Sequence, residues 1–423
     1  MSGILIIVVF FLGYAAIVAE HKIRVDKAAS ALIAGALSWV ILIIYNPDKE
    51  SVIASVGEHM AEISGILFFL MGAMTIVELI DSHNGFDVIT NRIQTRNKRV
   101  LLWMISLITF FLSAILDNLT TTIVMISLVR KLISNEQDRW FFAGIIIISS
   151  NAGGAWSPMG DVTTTMLWIG HQITAGNIIV KLILPSLVCL FVPLSVATFM
   201  LKPGIVVPDK KWSTADNNIS RFEKHLVFFS GMFVLLSVPI FKTLTHLPPF
   251  LGMLFALGLM WGLTEVVHRR KHGKERSTYT VVQALRQINT ATILFFLGIL
   301  LSISALQSAG ILTIWAEYLM SHIPNQNTTI MVIGMLSAII DNVPLVAGLQ
   351  GMYPLTLYPT DHYFWEFLAY ATGTGGSILI IGSAAGVAAM GMERITFFWF
   401  LKRISFLALL GYLAGAVVYI LLF

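Results

Sequence analysis

Long runs of apolar residues, most of them about 17–25 residues in length, recur along the 423-residue chain. A helix of this length can cross the roughly 30 Å hydrocarbon core of a bilayer. The runs predict spanning helices at about 3–19, 28–45, 63–80, 178–201, 225–241, 250–267, 289–308 and 404–422. Two less regular regions lie between them, at about 100–170 and 326–392. The pattern therefore predicts an all-α polytopic membrane protein.

The composition supports this class, because 57% of the residues are hydrophobic and only 12% are charged. The single cysteine, Cys189, lies in an apolar run and has no partner for a disulfide. The first 20 residues lack the basic start of a signal peptide, so we interpret them as the first span. The net charge of +4 indicates cytoplasmic loops rather than nucleic-acid binding.

The positions of Lys and Arg predict how the chain crosses the membrane. Cytoplasmic loops carry an excess of these residues, which places four basic segments inside: the loop around Arg24, then 81–99, 202–224 and 268–276. The acidic loop 46–62 then faces out. In this arrangement 24 of the 27 Lys and Arg residues lie on one side. The N- and C-termini are both predicted on the external side.

Two segments carry an Asp-Asn pair within apolar sequence. The segment at about 100–132 has basic residues at both ends and is too short for two full spans. It therefore predicts a re-entrant hairpin that enters from the cytoplasm and turns at Asp117-Asn118. The segment at about 326–356 turns at Asp341-Asn342 and has no Lys or Arg near its ends, as expected for a hairpin entering from outside.

Each hairpin is followed by an apolar helix that glycines interrupt, at about 140–170 and at about 362–390. The interruptions read SSNAGGAWSPMGD and TGTGGSILIIGSAAG, and both place a third glycine at the same distance after a glycine pair. These repeated sequence patterns predict two inverted-topology repeats, 1–220 and 221–423. Inverted repeats with paired broken helices are typical of secondary transporters, which bind their substrate near the membrane midplane.

Oxygen-bearing side chains in these segments suit a small hard cation such as Na⁺. An uncompensated carboxylate at membrane depth is destabilising unless it is paired, protonated or bound to a cation. Alternatively, Asp117 and Asp341 cap helix ends, and Asp161 caps the second half of its broken helix before Thr163. Capping is also expected of the two asparagines. Glu78 is either part of the site or an interfacial carboxylate near the cytoplasm.

A carboxylate that holds either H⁺ or Na⁺ acts as an exchanger when it faces the two sides in turn. The segments SAILDNLTTT, SSNAGGAWSPMGDVTT and SAIIDNVPL, in this order and spacing, resemble the NhaD-type sodium/proton antiporters of the ion transporter superfamily. The resemblance covers essentially the whole chain. It implies export of Na⁺ or Li⁺ against entry of H⁺, pH homeostasis, a bacterial inner membrane, a homodimer, no cofactor and no enzymatic activity.

The resemblance also implies which residues form the site. The proton- and sodium-binding residues are expected to be Asp117, Asn118, Asp161, Thr163, Ser337, Asp341, Asn342 and Ser377. Na⁺ itself is expected at the two Asp-Asn pairs. Accessory positions are Glu78, Thr120, Thr121, Ser150, Asn151, Thr374 and Ser383.

Other functions remain open from the sequence. An arsenite permease or an anion or dicarboxylate carrier of the same superfamily would share the hairpins, although buried carboxylates repel an anionic substrate. An intramembrane aspartyl protease would need two facing carboxylates, and the asparagine beside each hairpin aspartate fits that poorly. A passive channel would have little need of paired titratable acids.

Overall fold

The computed structural model describes residues 2–18, 20–90, 95, 97–201, 204, 219–269, 279–322, 325–339 and 342–423. Asp341 and most of the basic segments 202–224 and 268–276 lie outside these residues.

The described chain is built from helices. In the first half they are α1 (Ser2–Val18), α2 (Glu20–Ile23), α3 (Lys27–Tyr45), α4 (Lys49–Ser82), α5 (Asp87–Thr90), α6 (Lys98–Leu116), α7 (Asn118–Leu132), α8 (Glu136–Ala155), α9 (Val162–Ile169) and α10 (Ala175–Met200). In the second half they are α11 (Arg221–Thr245), α12 (Pro249–Val267), α13 (Val281–Gln287), α14 (Thr290–Ser308), α15 (Ile311–His322), α16 (Gln326–Leu336), α17 (Asn342–Met352), α18 (Tyr363–Gly375), α19 (Ala384–Glu393), α20 (Phe397–Arg403) and α21 (Ser405–Leu422).

The predicted all-α polytopic architecture is confirmed. Eight helices among the described residues are long and apolar enough to cross a membrane: α3, α4, α6, α10, α11, α12, α14 and α21. Large apolar side chains also lie on the outside of the protein; for example, Phe199 is 83% exposed and Leu244 is 76% exposed. Such a surface is stable in contact with lipid but not with water.

The long helices pack as two groups. The flanking group contains α1, α3, α4, α11, α12 and α14, which contact one another. The hairpin group contains α6–α10, α16–α19 and α21, and within it α6 and α7 pack on α8 while α16 packs on α18. The two groups meet where α17 contacts α14, where α9 contacts α4 and where α11 contacts α6. The polar segments predicted from the sequence all belong to the hairpin group.

The prediction of a loop at 46–62 is wrong from Lys49 onward, because these residues already belong to α4, whereas the external placement of the segment stays a prediction. This helix has 34 residues and is about 51 Å long, which exceeds the bilayer core. Asp48 starts it by accepting a hydrogen bond from the Ser51 amide at 3.1 Å. Charged residues end an apolar run without ending a helix, since Glu and Lys are good helix formers.

The two hairpins have their arms at α6–α7 and at α16–α17, and the broken helices are α8–α9 and α18–α19. The break in the first broken helix is shorter than predicted, since α8 continues to Ala155 and includes Gly153. A Cβ atom on Gly153 would lie 2.2 Å from the Phe110 carbonyl oxygen of α6. Correspondingly, a Cβ on Gly375 would lie 1.9 Å from the Gly334 carbonyl oxygen of α16. Both glycines allow close packing of a hairpin arm on a helix, and Gly153 lies within α8 rather than ending it.

Candidate functional site

A buried carboxylate joins the two hairpins. Asp161 is 2% exposed and directly precedes α9, at the break of the first broken helix. Its Oδ1 accepts a hydrogen bond from Asn118 Nδ2 of the first hairpin, and its Oδ2 accepts one from Asn342 Nδ2 of the second, both at 3.0 Å. Thr163 Oγ1 also donates to Oδ2, at 2.5 Å. Segments from both halves of the sequence therefore converge on one acid.

The hydrogen bonds decide between the two interpretations of Asp161. Asp161 occupies the N-cap position of α9, yet its side chain makes no capping hydrogen bond there. The carboxylate is oriented instead by two amides and a hydroxyl. Three donors stabilise the ionised form of a carboxylate that is removed from water.

Asn118 does not cap a helix, in contrast to the expectation from the sequence. Its Nδ2 also donates to Asn151 Oδ1, at 3.0 Å. Asn151 in turn donates to Ser377 Oγ and Ser383 Oγ of the second broken helix, both at 2.9 Å. Asn151 therefore joins the two broken helices directly, and Asn118 connects the tip of the first hairpin to this link.

Asp117 lies at the turn between α6 and α7 and does cap a helix. Its Oδ1 accepts the Thr120 amide at 2.7 Å, and its Oδ2 accepts Thr120 Oγ1 at 2.9 Å. The backbone at Asp117 has φ 104° and ψ 159°, a conformation that is nearly restricted to glycine. Backbone strain of this kind persists at functional sites because the surrounding structure holds it. Asp117 is thus both a helix cap and a strained residue at the hairpin tip.

An open cavity of about 520 Å³ reaches Asp117 and Asp161. It lies between α4 and α14 on one side and the hairpin tips and α19 on the other. Its described lining contains six carboxylates and one lysine, namely Glu20, Asp26, Glu78, Asp81, Asp117, Asp161 and Lys27. The potential inside such a cavity is negative, which attracts cations and repels anions.

The structure divides the predicted site residues into three sets. The cavity lining includes Glu78, Asp117, Asn118, Thr120, Asp161 and Asn342. Behind this lining, within the hydrogen-bonded network, lie Thr163, Asn151, Ser377 and Ser383.

The third set lies away from the cavity. Ser150 accepts a hydrogen bond from Thr122, and Ser337 and Thr374 donate to backbone carbonyls at 2.7 and 2.6 Å. Thr121 Oγ1 is buried with no hydrogen-bond partner among the described residues. Asp341 lies outside the described residues.

Sequence reasoning missed several acids of the cavity wall. Glu20 begins α2 and Asp26 directly precedes α3, and Asp81 lies one turn after Glu78 on α4. Each looks like an ordinary interfacial carboxylate when its own segment is considered alone. The available signal was the spacing of Glu78 and Asp81, which puts both on the same face of a helix.

Sequence comparisons place the chain among transporters. The family model CitMHS, described as citrate transporter, matches residues 2–372. Sodium/proton antiporter 1 of Arabidopsis thaliana is 47% identical over 411 residues, which is 97% of this chain and 71% of that protein. The Na⁺/H⁺ antiporter NhaD of Alkalimonas amylolytica is 29% identical over 454 residues, covering 99% of this chain and 90% of that protein.

Structural comparison agrees at the level of the fold. The crystal structure of the YdaH transporter from Alcanivorax borkumensis, which has an unusual topology, aligns with a TM-score of 0.57. The alignment covers 99% of this chain and 97% of that chain at 12% identity. The chain thus belongs to the CitMHS family of transporters and is a member of the NhaD-type sodium/proton antiporters.

Proposed function

We propose that the protein is a secondary transporter that exchanges cytoplasmic Na⁺ for external H⁺. The observation that carries the proposal is Asp161, a buried carboxylate that both hairpins contact and that an acid-lined cavity reaches. The names of the relatives, which are sodium/proton antiporters, support the same activity. Li⁺ is proposed as a second substrate, on the resemblance alone.

The charge of the cavity favours a cation over an anion. Six carboxylates and one lysine in the described lining would repel citrate or a dicarboxylate. The family model carries the description citrate transporter, but a citrate carrier would need basic groups or helix N-termini directed at its carboxylates. Citrate transport is therefore the weaker alternative.

Asp117 and Asp161 have different environments, and together these suit ion exchange. Asp117 is half-buried and its carboxylate lies at the hairpin tip, where a cation from the cavity can reach it. Asp161 is more deeply buried and is held by Asn118, Asn342 and Thr163. A Na⁺ ion bound to these carboxylates would replace a proton, because one set of oxygen atoms cannot hold both at once. We propose that this competition couples the two ions.

The asparagines would link ion binding to the positions of the hairpins. Because Asn118 and Asn342 direct their amide nitrogens at Asp161, the other edge of each amide is a carbonyl oxygen. Carbonyl oxygens are suitable Na⁺ ligands. A small rotation of either hairpin would therefore turn the amide nitrogen away from the site and the carbonyl oxygen toward a bound Na⁺. Thr163 and Asn151 would hold Asp161 and Asn118 in place through their hydrogen bonds.

Several finer features remain predictions. Under the predicted topology the cavity mouth faces the cytoplasm, since it lies near Asp26 and Gln287 and close to predicted basic loops. The inverted sense of the repeats 1–220 and 221–423, the re-entrant course of the hairpins and external termini follow from the distribution of Lys and Arg. A homodimer and a bacterial inner membrane follow from the resemblance. We propose that Asp341 coordinates Na⁺, because it directly precedes Asn342 in the sequence.

Everted membrane vesicles would test the proposal directly. Vesicles with an acidified interior receive NaCl, LiCl, KCl or sodium citrate at neutral and alkaline pH, while a fluorescent dye reports the pH gradient. We expect Na⁺ and Li⁺ to dissipate the gradient, K⁺ to have no effect, and citrate to add nothing to Na⁺. Vesicles without the protein provide the control.

Three results would contradict the proposal. If Na⁺ leaves the gradient intact at every pH, the protein is not a sodium/proton exchanger. If citrate is required for the response, the carrier belongs to the alternative class. An equal response to K⁺ would indicate a nonselective pathway.

A further inference from the structure

The C-terminal end of α9 is attached to two helices of the flanking group. Lys242, near the end of α11, donates Nζ to the Trp168 backbone carbonyl at 2.7 Å. The same ammonium lies 4.7 Å from the centre of the Trp168 ring. Phe69 of α4 meets that ring edge-on, with the ring centres 6.3 Å apart. Trp168 is 1% exposed, and Lys242 is half-buried.

The attached helix is the one that begins next to the central acid. α9 has eight residues and is therefore about 12 Å long, with Asp161 at its N-terminal end and Trp168 near its C-terminal end. A cation beside the last carbonyls of a helix is favourable, because those groups carry partial negative charge. Lys242 thereby sets where Asp161 lies relative to the flanking group.

Lys242 and Trp168 do not line the cavity, although Phe69, which meets the Trp168 ring, does. The cavity lining includes Asp161 and Thr165 but neither Trp168 nor any residue of α11. Lys242 is also one of the few lysines that the predicted topology places on the external side. Burial, and then the nearby Lys242 ammonium, lower the pKa of the His171 imidazole in the turn after α9. The C-terminal end of α9 therefore lies beside a lysine ammonium, whereas the described cavity lining is mainly acidic.

Most strong polar contacts of the hairpin group join its own members and would move with it. Arg130 of α7 and Arg139 of α8 both bind Glu393 of α19, at 2.6 and 3.0 Å. Asn151 joins the two broken helices. The Lys242 contact differs, because it crosses from the flanking group to the hairpin group. A displacement of one group relative to the other would break it.

We propose that Lys242 is a positioning residue that latches α9 to the flanking group in the cavity-open state. The contact must open before the site can face the opposite side. This inference rests on the proposed function in requiring alternating access, but not on the identity of the transported ions. The lysine charge and its donor are both needed, because a neutral side chain would lose the attraction to the Trp168 carbonyl and ring.

Accessibility from the closed side tests the latch. A reporter cysteine replaces Ile123, a cavity-lining residue of α7, in a chain with Cys189→Ala. A membrane-impermeant maleimide is applied from the side opposite the cavity mouth. Lys242→Met and Lys242→Gln should raise the labelling rate about tenfold, the change expected from losing a hydrogen bond to a charged donor at a half-buried position.

Two controls separate a latch from a general loss of structure. Lys242→Arg keeps a charged donor and should restore labelling to near the parent rate. Lys181→Met removes a lysine whose ammonium lies 3.9 Å from the Phe423 ring, a contact within the hairpin group, and should change nothing. Unchanged labelling in both Lys242→Met and Lys242→Gln, with normal size-exclusion profiles, would overturn the inference. Faster labelling in Lys181→Met would overturn it as well.

The same samples distinguish failure of the latch from failure of the proposed function. Labelling requires neither Na⁺ nor a proton gradient. Faster labelling in a protein that shows no Na⁺/H⁺ exchange would keep the latch and refute the proposed activity. Normal exchange with unchanged labelling would refute the latch alone.

Discussion

Asn118 and Asn342, which occupy equivalent places in two hairpins, donate to opposite oxygens of the same carboxylate, each at 3.0 Å. The two hairpins are therefore coupled through Asp161 even though the asparagines lie in different halves of the sequence. Because the two hairpins share this carboxylate, a movement of one hairpin affects the contact that the other hairpin makes. Any change in its protonation or cation binding alters both contacts at once.

A double-mutant cycle measures that coupling. Asn118→Ala and Asn342→Ala each remove a hydrogen bond to a charged group, worth about 1.5–3 kcal/mol. Without the amides the ionised form of Asp161 is less stable, so protons compete better and the apparent Na⁺ affinity should fall about tenfold. The change in binding free energy of the double variant should differ by about 1 kcal/mol from the sum of the changes in the two single variants. The measurement is the Na⁺ concentration for half-maximal exchange in proteoliposomes, and strict additivity would show that the hairpins act independently.

Neutralising Asp117 should separate activity from stability. Asn caps helices as well as Asp and has the same branched shape, so the strained backbone disfavours both residues about equally and Asp117→Asn should change the unfolding free energy by less than about 0.5 kcal/mol. Exchange should be abolished, because the site loses a charge that balances Na⁺. Thermal unfolding in detergent and vesicle exchange measure the two effects. Near-normal exchange in Asp117→Asn would remove this carboxylate from the mechanism.

Asp161→Asn should also abolish exchange, since Asn118 and Asn342 would then face an uncharged amide. Asp48→Asn is the matched control, because Asp48 only caps α4 at an exposed position and Asn preserves that role. Both variants should express and purify like the parent chain. If Asp161→Asn exchanged Na⁺ with an unchanged pH profile, the carboxylate would be structural.

The sequence predicted the helices well where burial in lipid alone determines them. Apolar runs located most spans to within a few residues, and the Asp117 turn coincides with the tip of the first hairpin. The extension of α4 was missed because hydropathy describes lipid contact, whereas Lys49–Glu62 forms helix through its Asp48 cap and good helix formers.

The site was harder to predict than the fold. The sequence identified Asp117, Asn118, Asp161 and Asn342 as polar residues in apolar surroundings, but not that Asp161 would receive both amides. Such pairing depends on how two distant segments pack, which periodicity does not encode. Likewise Glu20 and Asp26 enter the cavity wall only because α1 and α3 pack beside α14.

Close packing of the hairpins on the broken helices can be tested with glycine substitutions. A Cβ at Gly153 or Gly375 would overlap a backbone carbonyl that has no room to move, so Gly153→Ala and Gly375→Ala should each destabilise the protein by about 2–3 kcal/mol. Gly258→Ala is the control, since a methyl group at this position of α12 would have nothing within 4 Å. Thermal unfolding monitored by size exclusion gives the comparison. Equal stability of all three variants would mean that the hairpins pack less closely than these distances indicate.

The acids of the cavity wall should act on the rate of cation entry rather than on the exchange step. Glu78→Gln removes one negative charge from the lining, so the Na⁺ concentration for half-maximal exchange should rise about threefold at low ionic strength. Added impermeant salt screens the remaining field and should reduce the difference. Glu62→Gln on the same helix is the matched control, because Glu62 is largely exposed and lies outside the cavity. Loss of exchange at saturating Na⁺ in Glu78→Gln would instead make Glu78 part of the exchange site, since a residue that only attracts cations cannot limit the rate once the site is full.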